Sequence, residues 1–220
     1  MEKFESPQHT NLIGGALINL YTFSSTQTAK EIINVFNSES ISELSKKISK
    51  VISKVDCTDY EFGASLQECE NKFKGDLFEV FTILFFDNFG GDRKFSISGV
   101  NWAPRDQEGW DFQAINKKGK PVTIQSKFVG NTNFTFEGDG RLETFFGNLI
   151  EGQEQNNSCT NKILFTTASK IGSRYERWNR EGLLTLVDKK LIHKFTKDNK
   201  GFWIDSKQCI EKIFHKKLYE

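Results

Sequence analysis

Residues 109–127, GWDFQAINKKGKPVTIQSK, contain two strand-like stretches on either side of a turn signal. The first holds Asp111 among aromatic and apolar residues, and the second alternates apolar residues with Gln125 and Lys127. Both patterns predict β-strands, which the sequence Lys-Lys-Gly at 117–119 joins as a hairpin. The pairing within this hairpin decides whether Asp111, Gln125 and Lys127 lie on the same face of the sheet, where they could form one site.

The length of the turn fixes the register of the two strands. In a three-residue loop, Gly119 takes the left-handed conformation that favours glycine, and pairing is symmetric about Lys118. Asp111 then lies opposite Gln125, and directly opposed residues of an antiparallel pair share one face. Lys127 lies two residues beyond Gln125, so it projects from the same face. A two-residue turn would shift the register by one and move Asp111 to the other face.

A long helix is predicted before the hairpin, from about residue 66 to residue 89. Its stretch 77–86 is apolar on every side except at Glu79, which is typical of a helix buried all round. A buried carboxylate is costly unless a cation pairs with it. We expect a metal ion or Lys127 to be that partner; an ordinary ion pair with another Lys or Arg is the alternative.

The whole chain predicts an α/β sandwich, with a central mixed β-sheet flanked by helices. Residues 1–65 are expected to form a helical N-terminal extension, because capping boxes occur at 28–31 and 40–43 and an apolar helical stripe follows Ile41. Residues 66–220 are expected to form the main domain. The further predicted strands are 94–100, 109–116, 121–129, 162–167 and 183–187, and the further predicted helices are 141–153, 174–180 and 207–218.

Composition excludes several classes of protein. The 220 residues are 37% hydrophobic and 27% charged, which is typical of a globular chain and not of a disordered one. The longest apolar run, 80–86, is far too short for a membrane span, and the first residues lack a secretory pattern, so we expect a cytoplasmic protein. Four scattered cysteines and three histidines offer no normal zinc spacing. Neither a phosphate-binding glycine loop nor a Gly-x-Ser-x-Gly elbow occurs.

The residues gathered by the hairpin and the helix suit hydrolysis of a phosphodiester bond. That reaction needs a nucleophilic water and stabilisation of the charge on the phosphate, which metal ions held by carboxylates supply. Mg²⁺ prefers oxygen ligands and keeps several waters, so one or two carboxylates and an amide oxygen are enough. A nearby lysine orients or deprotonates the water and offsets the phosphate charge.

Three motifs resemble those of the PD-(D/E)XK nuclease superfamily: Gly75-x-x-Phe78-Glu79, Gly109-Trp110-Asp111 and Gln125-x-Lys127. The likeness covers about residues 70–190 and is closest to Gln-x-Lys variants such as the Mrr-like methylation-dependent restriction endonucleases. It implies a restriction-endonuclease-like fold and a Mg²⁺-dependent DNA endonuclease in which Mn²⁺ can substitute. Glu79, Asp111 and Gln125 would hold the metal, and Lys127 would be the catalytic lysine. The sequence departs from the commonest pattern because Gln125 replaces an acidic residue and no proline precedes Asp111.

The resemblance further implies double-stranded DNA as the partner and a homodimer, since cutting two strands with one site per chain usually needs two copies. Restriction, homing and repair nucleases all remain open, as does an RNA-directed nuclease. A DNA-binding or assembly protein with a degenerate site on the same fold is the alternative that Gln125 supports best. The basic run 189–200 and the arginines Arg174, Arg177 and Arg180 are either phosphate contacts or solvated surface. Target recognition is expected from residues 1–65 and 131–140.

Overall fold

The computed structural model describes residues 14–56, 60, 65–88, 95–103, 110–130, 135–136, 145, 161–199 and 201–219. In chain order the helices are α1 (Gly15–Phe23), α2 (Thr26–Phe36), α3 (Ile41–Val51), α4 (Leu66–Ile83), α5 (Ser173–Arg180), α6 (Lys189–Asp198) and α7 (Phe202–Phe214). The strands are β1 (Ile97–Trp102), β2 (Phe112–Asn116), β3 (Pro121–Lys127), β4 (Thr135–Phe136), β5 (Asn161–Thr166), β6 (Lys170–Ile171) and β7 (Leu184–Val187). In this part of the chain no helix is both long and apolar enough to cross a membrane.

A mixed sheet of five strands, in the order β1-β2-β3-β5-β7, lies at the centre. Strands β1, β2 and β3 form an antiparallel meander, to which β5 and β7 add as parallel strands. Strands β4 and β6 form a separate parallel pair. Helices pack around the central sheet, so the predicted α/β class with a mixed sheet flanked by helices is confirmed.

The predicted register of the β2–β3 hairpin is confirmed. Phe112 pairs with Ile124, and each further pair is symmetric about position 118. Gly119 has a φ of 72°, in the left-handed region, and its N–H donates to the carbonyl of Asn116 at 2.9 Å. The Asn116 side chain also accepts hydrogen bonds from two turn amides, at 2.8 and 3.0 Å. The turn therefore has three residues, and Asp111 falls opposite Gln125.

The predicted long helix is also confirmed. Helix α4 begins at a capping box formed by Ser65 and Glu68, and its last turns continue as a π-helical segment, Leu84–Asn88. The buried Thr82 and Ser126 hydroxyls lie 2.8 Å apart and attach the helix to β3. Phenylalanines of α4 and the π-helical segment pack against the ring of Phe165 in β5. Each fully buried phenylalanine contributes about 2 kcal/mol of hydrophobic stabilisation.

The N-terminal helices share the main core with α4. Leu20, Ile32 and Leu44, one from each of α1, α2 and α3, are fully buried in the same hydrophobic cluster as the α4 phenylalanines. The predicted cap at Ser40 is confirmed, because its side chain accepts from the N–H of Glu43 at 3.2 Å. The cap predicted at Thr28 is wrong: Ser25 caps α2 and accepts from the N–H of Thr28 at 3.2 Å.

Other boundaries differ from the sequence predictions. Helix α6 was not predicted, although Asp188 caps it by accepting from the N–H of Leu191 at 2.8 Å. Helix α7 begins at Phe202 instead of 207, since its buried face starts there. The helix predicted at 141–153 lies outside the described residues apart from Phe145, and so does the segment 131–140 apart from β4.

Candidate active site

Asp111 lies just before β2 and is held tightly by the end of β3. Its N–H donates to the carbonyl of Ile124 at 2.9 Å, which continues the β2–β3 ladder by one residue. Its carboxylate oxygen Oδ2 accepts hydrogen bonds from the N–H of Ser126, at 2.6 Å, and from Nε2 of Gln125, at 2.7 Å. Both bonds use the same oxygen, so Oδ1 is the oxygen that neither bond occupies.

Gln125 converges with Asp111, as the register predicted. Its amide nitrogen donates to Asp111 and, at 3.3 Å, to the carbonyl of Ser126. Because the nitrogen has this orienting role, the amide oxygen Oε1 is the atom with which Gln125 could bind a metal ion. The neutral amide thus positions the Asp111 carboxylate, where a second acidic residue would repel it.

Lys127 ends β3, two residues beyond Gln125 on the same face. Its backbone pairs with Thr166 of β5, whose hydroxyl donates to the Lys127 carbonyl at 2.8 Å. The half-exposed Lys127 ammonium favours the ionised form of Asp111 and so lowers the pKa of that carboxyl. The structure therefore brings Asp111, Gln125 and Lys127 to one end of β3.

Glu79 approaches the hairpin from α4. It is half-buried, and its pKa is raised well above the usual value, first by burial and then by the negative charges of Asp111 and Asp76. Glu79 and Asp111 therefore lie close enough to repel each other.

The pKa of Asp111 is also raised, to about 7. Burial is the largest cause, and Asp76 contributes electrostatically in the same direction. The hydrogen bond from Ser126 and the positive charges of Lys72 and Lys127 act in the opposite direction. Raised pKa values on two acidic residues are typical of functional sites, and a bound cation would favour the ionised form of both carboxyls.

Sequence reasoning missed two residues of this cluster, Lys72 and Asp76. Asp76 is completely buried and accepts hydrogen bonds from the Tyr60 hydroxyl and from Nδ2 of Asn19, the latter at 3.4 Å. Lys72 forms an ion pair with Asp76 one turn away along α4. The spacing of positions 72, 76 and 79 on one helix face was the available signal.

The donor set fits a hydrated Mg²⁺ ion. Among the described residues, no group of three or more His, Cys, Asp or Glu side chains is placed to hold a metal ion. The available oxygens are Oδ1 of Asp111 and Oε1 of Gln125 at the end of β3, together with the carboxylate of Glu79, which lies near enough for Asp111 to raise its pKa. Mg²⁺ keeps several waters and needs only one or two carboxylates, so this set is sufficient, and it would relieve the repulsion between the two carboxylates.

The two basic segments lie on exposed helix faces. Arg174, Arg177 and Arg180 are exposed on α5, where the Arg174 guanidinium lies 4.5 Å from the Trp178 ring centroid. The basic run forms much of α6, where His193 and Lys194 are exposed. Both surfaces are exposed, which is compatible with contacts to phosphate groups and equally with an ordinary solvated surface.

No protein-family model, curated protein or solved structure matches this chain. The function is therefore inferred from the fold and from the geometry of this site.

Proposed function

We propose that the protein is a Mg²⁺-dependent nuclease of the PD-(D/E)XK type that hydrolyses phosphodiester bonds in DNA. The hydrogen bond between Gln125 and Asp111 at the end of β3 carries this proposal, together with Glu79 of α4, whose pKa Asp111 raises. The raised pKa values of both carboxyls add to it, because they indicate that the site favours a bound cation.

The order of elements supports a restriction-endonuclease-like fold. Helix α4 is followed by the three antiparallel strands of the central sheet, and the next strand of that sheet, β5, is parallel to β3; the helix packs on β3. The candidate residues come from the helix, from just before the second strand and from the end of the third. This is the placement that the resemblance of the three motifs to the PD-(D/E)XK superfamily implies.

Each residue then has a role that its contacts support. Glu79, Oδ1 of Asp111 and Oε1 of Gln125 would hold Mg²⁺, which supplies Lewis acidity and lowers the pKa of bound water. The N–H of Ser126 and the amide of Gln125 fix the orientation of the Asp111 carboxylate. Lys127 places a positive charge beside Asp111, where it orients the attacking water and offsets charge on the phosphate.

A homodimer on DNA belongs to the same proposal. Each chain contributes one site, and cutting both strands at one place usually needs two sites. Sedimentation velocity with and without a DNA duplex tests this. A dimer in either sample supports it, and a monomer in both contradicts it.

Incubation with supercoiled plasmid at low salt tests the nuclease activity. Wild-type protein should nick or linearise the plasmid with Mg²⁺ or Mn²⁺ and not with a chelator, and Lys127→Ala should abolish the cleavage. Lys120→Ala is the matched control, because Lys120 is an exposed lysine one residue before the same strand. Cleavage that survives Lys127→Ala would leave the activity in place and contradict the role of Lys127.

The degenerate DNA-binding protein is the second candidate, and Gln125 favours it. A neutral amide that donates to Asp111 reduces the charge available for a metal. Titration calorimetry with Mn²⁺ separates the two candidates. A nuclease should bind Mn²⁺ in a manner that Asp111→Asn weakens, whereas a degenerate site should show no difference. Parallel incubation with RNA shows whether RNA is preferred.

A further inference from the structure

Helix α4 carries a second lysine, Lys72, on the same face as Glu79. Lys72 pairs with Asp76 on the face of α4 that also carries Glu79. The Asp76 side chain has no exposed surface, whereas 39% of the Lys72 side chain is exposed. The ion pair therefore joins a buried carboxylate to an ammonium group at the protein surface.

Asp76 is held in place by residues that lie outside α4. Asn19 of α1 and Tyr60 both donate hydrogen bonds to it. The Tyr60 ring packs edge-on against Phe73, with ring centroids 5.0 Å apart, which fixes the direction of its hydroxyl. A buried carboxylate with these partners has one orientation, and the ammonium that pairs with it is oriented in turn.

Lys72 also acts electrostatically on the carboxyls of the site. Its positive charge lowers the pKa of Glu79 and of Asp111, and its effect on Asp111 is larger than that of Lys127. Two lysines therefore favour the ionised form of Asp111, Lys127 from β3 and Lys72 from α4. Only Lys127 has the strand position that the family motif describes.

We propose that Lys72 is a second phosphate-binding lysine of the site and that Asp76 is the positioning residue that orients it. This inference rests on the proposed function. An ammonium is a compact positive charge that binds a phosphate oxygen without demanding a particular geometry, and here it lies on the face of α4 that also carries Glu79. Asn19 of α1 and Tyr60 would then contribute indirectly to phosphate binding, because they hold Asp76 in place.

Binding of a 20-base-pair duplex, measured by fluorescence anisotropy in Ca²⁺ over a range of salt concentrations, tests the role of Lys72. Lys72→Met should weaken binding about tenfold at low salt and reduce the slope of log K against log salt by about one, since one phosphate contact is lost. Lys72→Arg should restore both values. In plasmid cleavage, Lys72→Met should raise KM more than it lowers kcat.

Two further variants separate positioning from folding. Asp76→Asn should reproduce the Lys72→Met defect, and Lys72→Met combined with Asp76→Asn should be no worse than either change alone. The double variant leaves no buried charge without a partner, so a folding defect is not expected in it. Lys74→Met is the control, because Lys74 lies on the opposite face of α4, 3.9 Å from Glu70, and should change nothing.

The outcomes distinguish this inference from the proposed function. Metal-dependent cleavage with an unchanged salt slope in Lys72→Met overturns the role of Lys72 alone. Duplex binding without cleavage overturns the nuclease, and the salt slope then still decides whether Lys72 contacts phosphate. A protein that binds no DNA overturns both.

Discussion

Two regions of the protein hold ionisable groups away from water: the acidic site, formed by Asp76, Glu79 and Asp111, and the buried Lys162 of β5. The causes of their pKa shifts differ. Lys162 is 3% exposed, donates a hydrogen bond to the Phe145 carbonyl and lies 4.7 Å from the centroid of the Phe145 ring. Burial alone lowers its pKa, to about 8. At the acidic site, by contrast, negative charges add to the effect of burial, because Asp111 and Asp76 raise the pKa of Glu79 and Asp76 raises the pKa of Asp111.

This difference separates a structural charge from a candidate functional one. Lys162 has a local arrangement that compensates for its burial, and no like charge contributes to its pKa shift. Glu79 and Asp111 come from different elements, and the fold holds them together although they repel. Such an arrangement destabilises the protein by itself, so it is better explained by a ligand that binds there than by folding.

The largest expected effect is loss of cleavage in Asp111→Asn. Replacing the carboxylate with an amide keeps the size and can keep the hydrogen bond from Ser126, but it removes a charged metal ligand. Plasmid cleavage should fall by at least about 100-fold, as for loss of a central electrostatic interaction in an active site. Lys162→Met serves as the comparison and should cleave within about twofold of wild type, because Lys162 lies outside the proposed machinery. An equal loss of cleavage in both variants would contradict the view that Asp111 is functional and Lys162 only structural.

The next effect concerns the pH dependence of stability in metal-free protein. A carboxyl whose pKa rises from 3.8 unfolded to about 7 folded stabilises the fold fully below pH 3.8 and loses this contribution as the pH rises to about 7. Wild type should therefore lose about 2 kcal/mol of unfolding free energy across that range, after allowance for partial exposure of the group. Asp111→Asn should lack this contribution and keep only the pH dependence that Glu79 and Asp76 cause, so it should be the more stable protein at pH 8 in urea unfolding.

Adding Mg²⁺ at pH 8 sharpens the same measurement. The ion should raise the Tm of wild type, because it binds the folded state preferentially, and should leave the Tm of Asp111→Asn unchanged. An equal rise in both proteins would place the metal elsewhere.

Lys162 should show the opposite pH dependence at alkaline pH. Its pKa falls from 10.5 unfolded to about 8 folded, so its full stabilising contribution is present above pH 10.5 and is lost as the pH falls through 8. Wild type should gain about 2 kcal/mol between pH 8 and 10.5 relative to Lys162→Met. Urea unfolding of both proteins at these two values measures the difference, and parallel curves would contradict the burial of a charged Lys162.

The smallest effect is expected at the turn. Gly119→Ala should cost about 1 kcal/mol, because a left-handed φ strains any residue with a Cβ, whereas the added atom meets nothing within 4 Å. Gly119→Asn should cost less, since asparagine tolerates this conformation. Thermal unfolding measures both. If cleavage is also lost at a temperature where the variant is still folded, the turn controls the register that places Asp111 opposite Gln125.

Much of the site could be read from the chain because its signals are local. The three-residue turn with Gly119, the alternation of β3 and the apolar length of α4 depend on neighbours a few residues away. They correctly predicted the register, the Asp111–Gln125 contact and the helix that carries Glu79. The cap of α2 was misplaced because Ser25 and Thr28 are both good capping residues, and only the backbone conformation selects between them.

What only the tertiary structure decided is the pairing of residues far apart in sequence. Asn19 meets Asp76 across 57 positions, and Tyr60 joins them from a different segment, so no periodicity could have revealed the network. Lys72 was unremarkable in sequence because an i,i+4 ion pair is common on exposed helices. It becomes a candidate only when the packing of α1 and α4 buries its partner and brings Asp111 near. The sequence determined the elements through local geometry, and long-range packing decided which charges share the site.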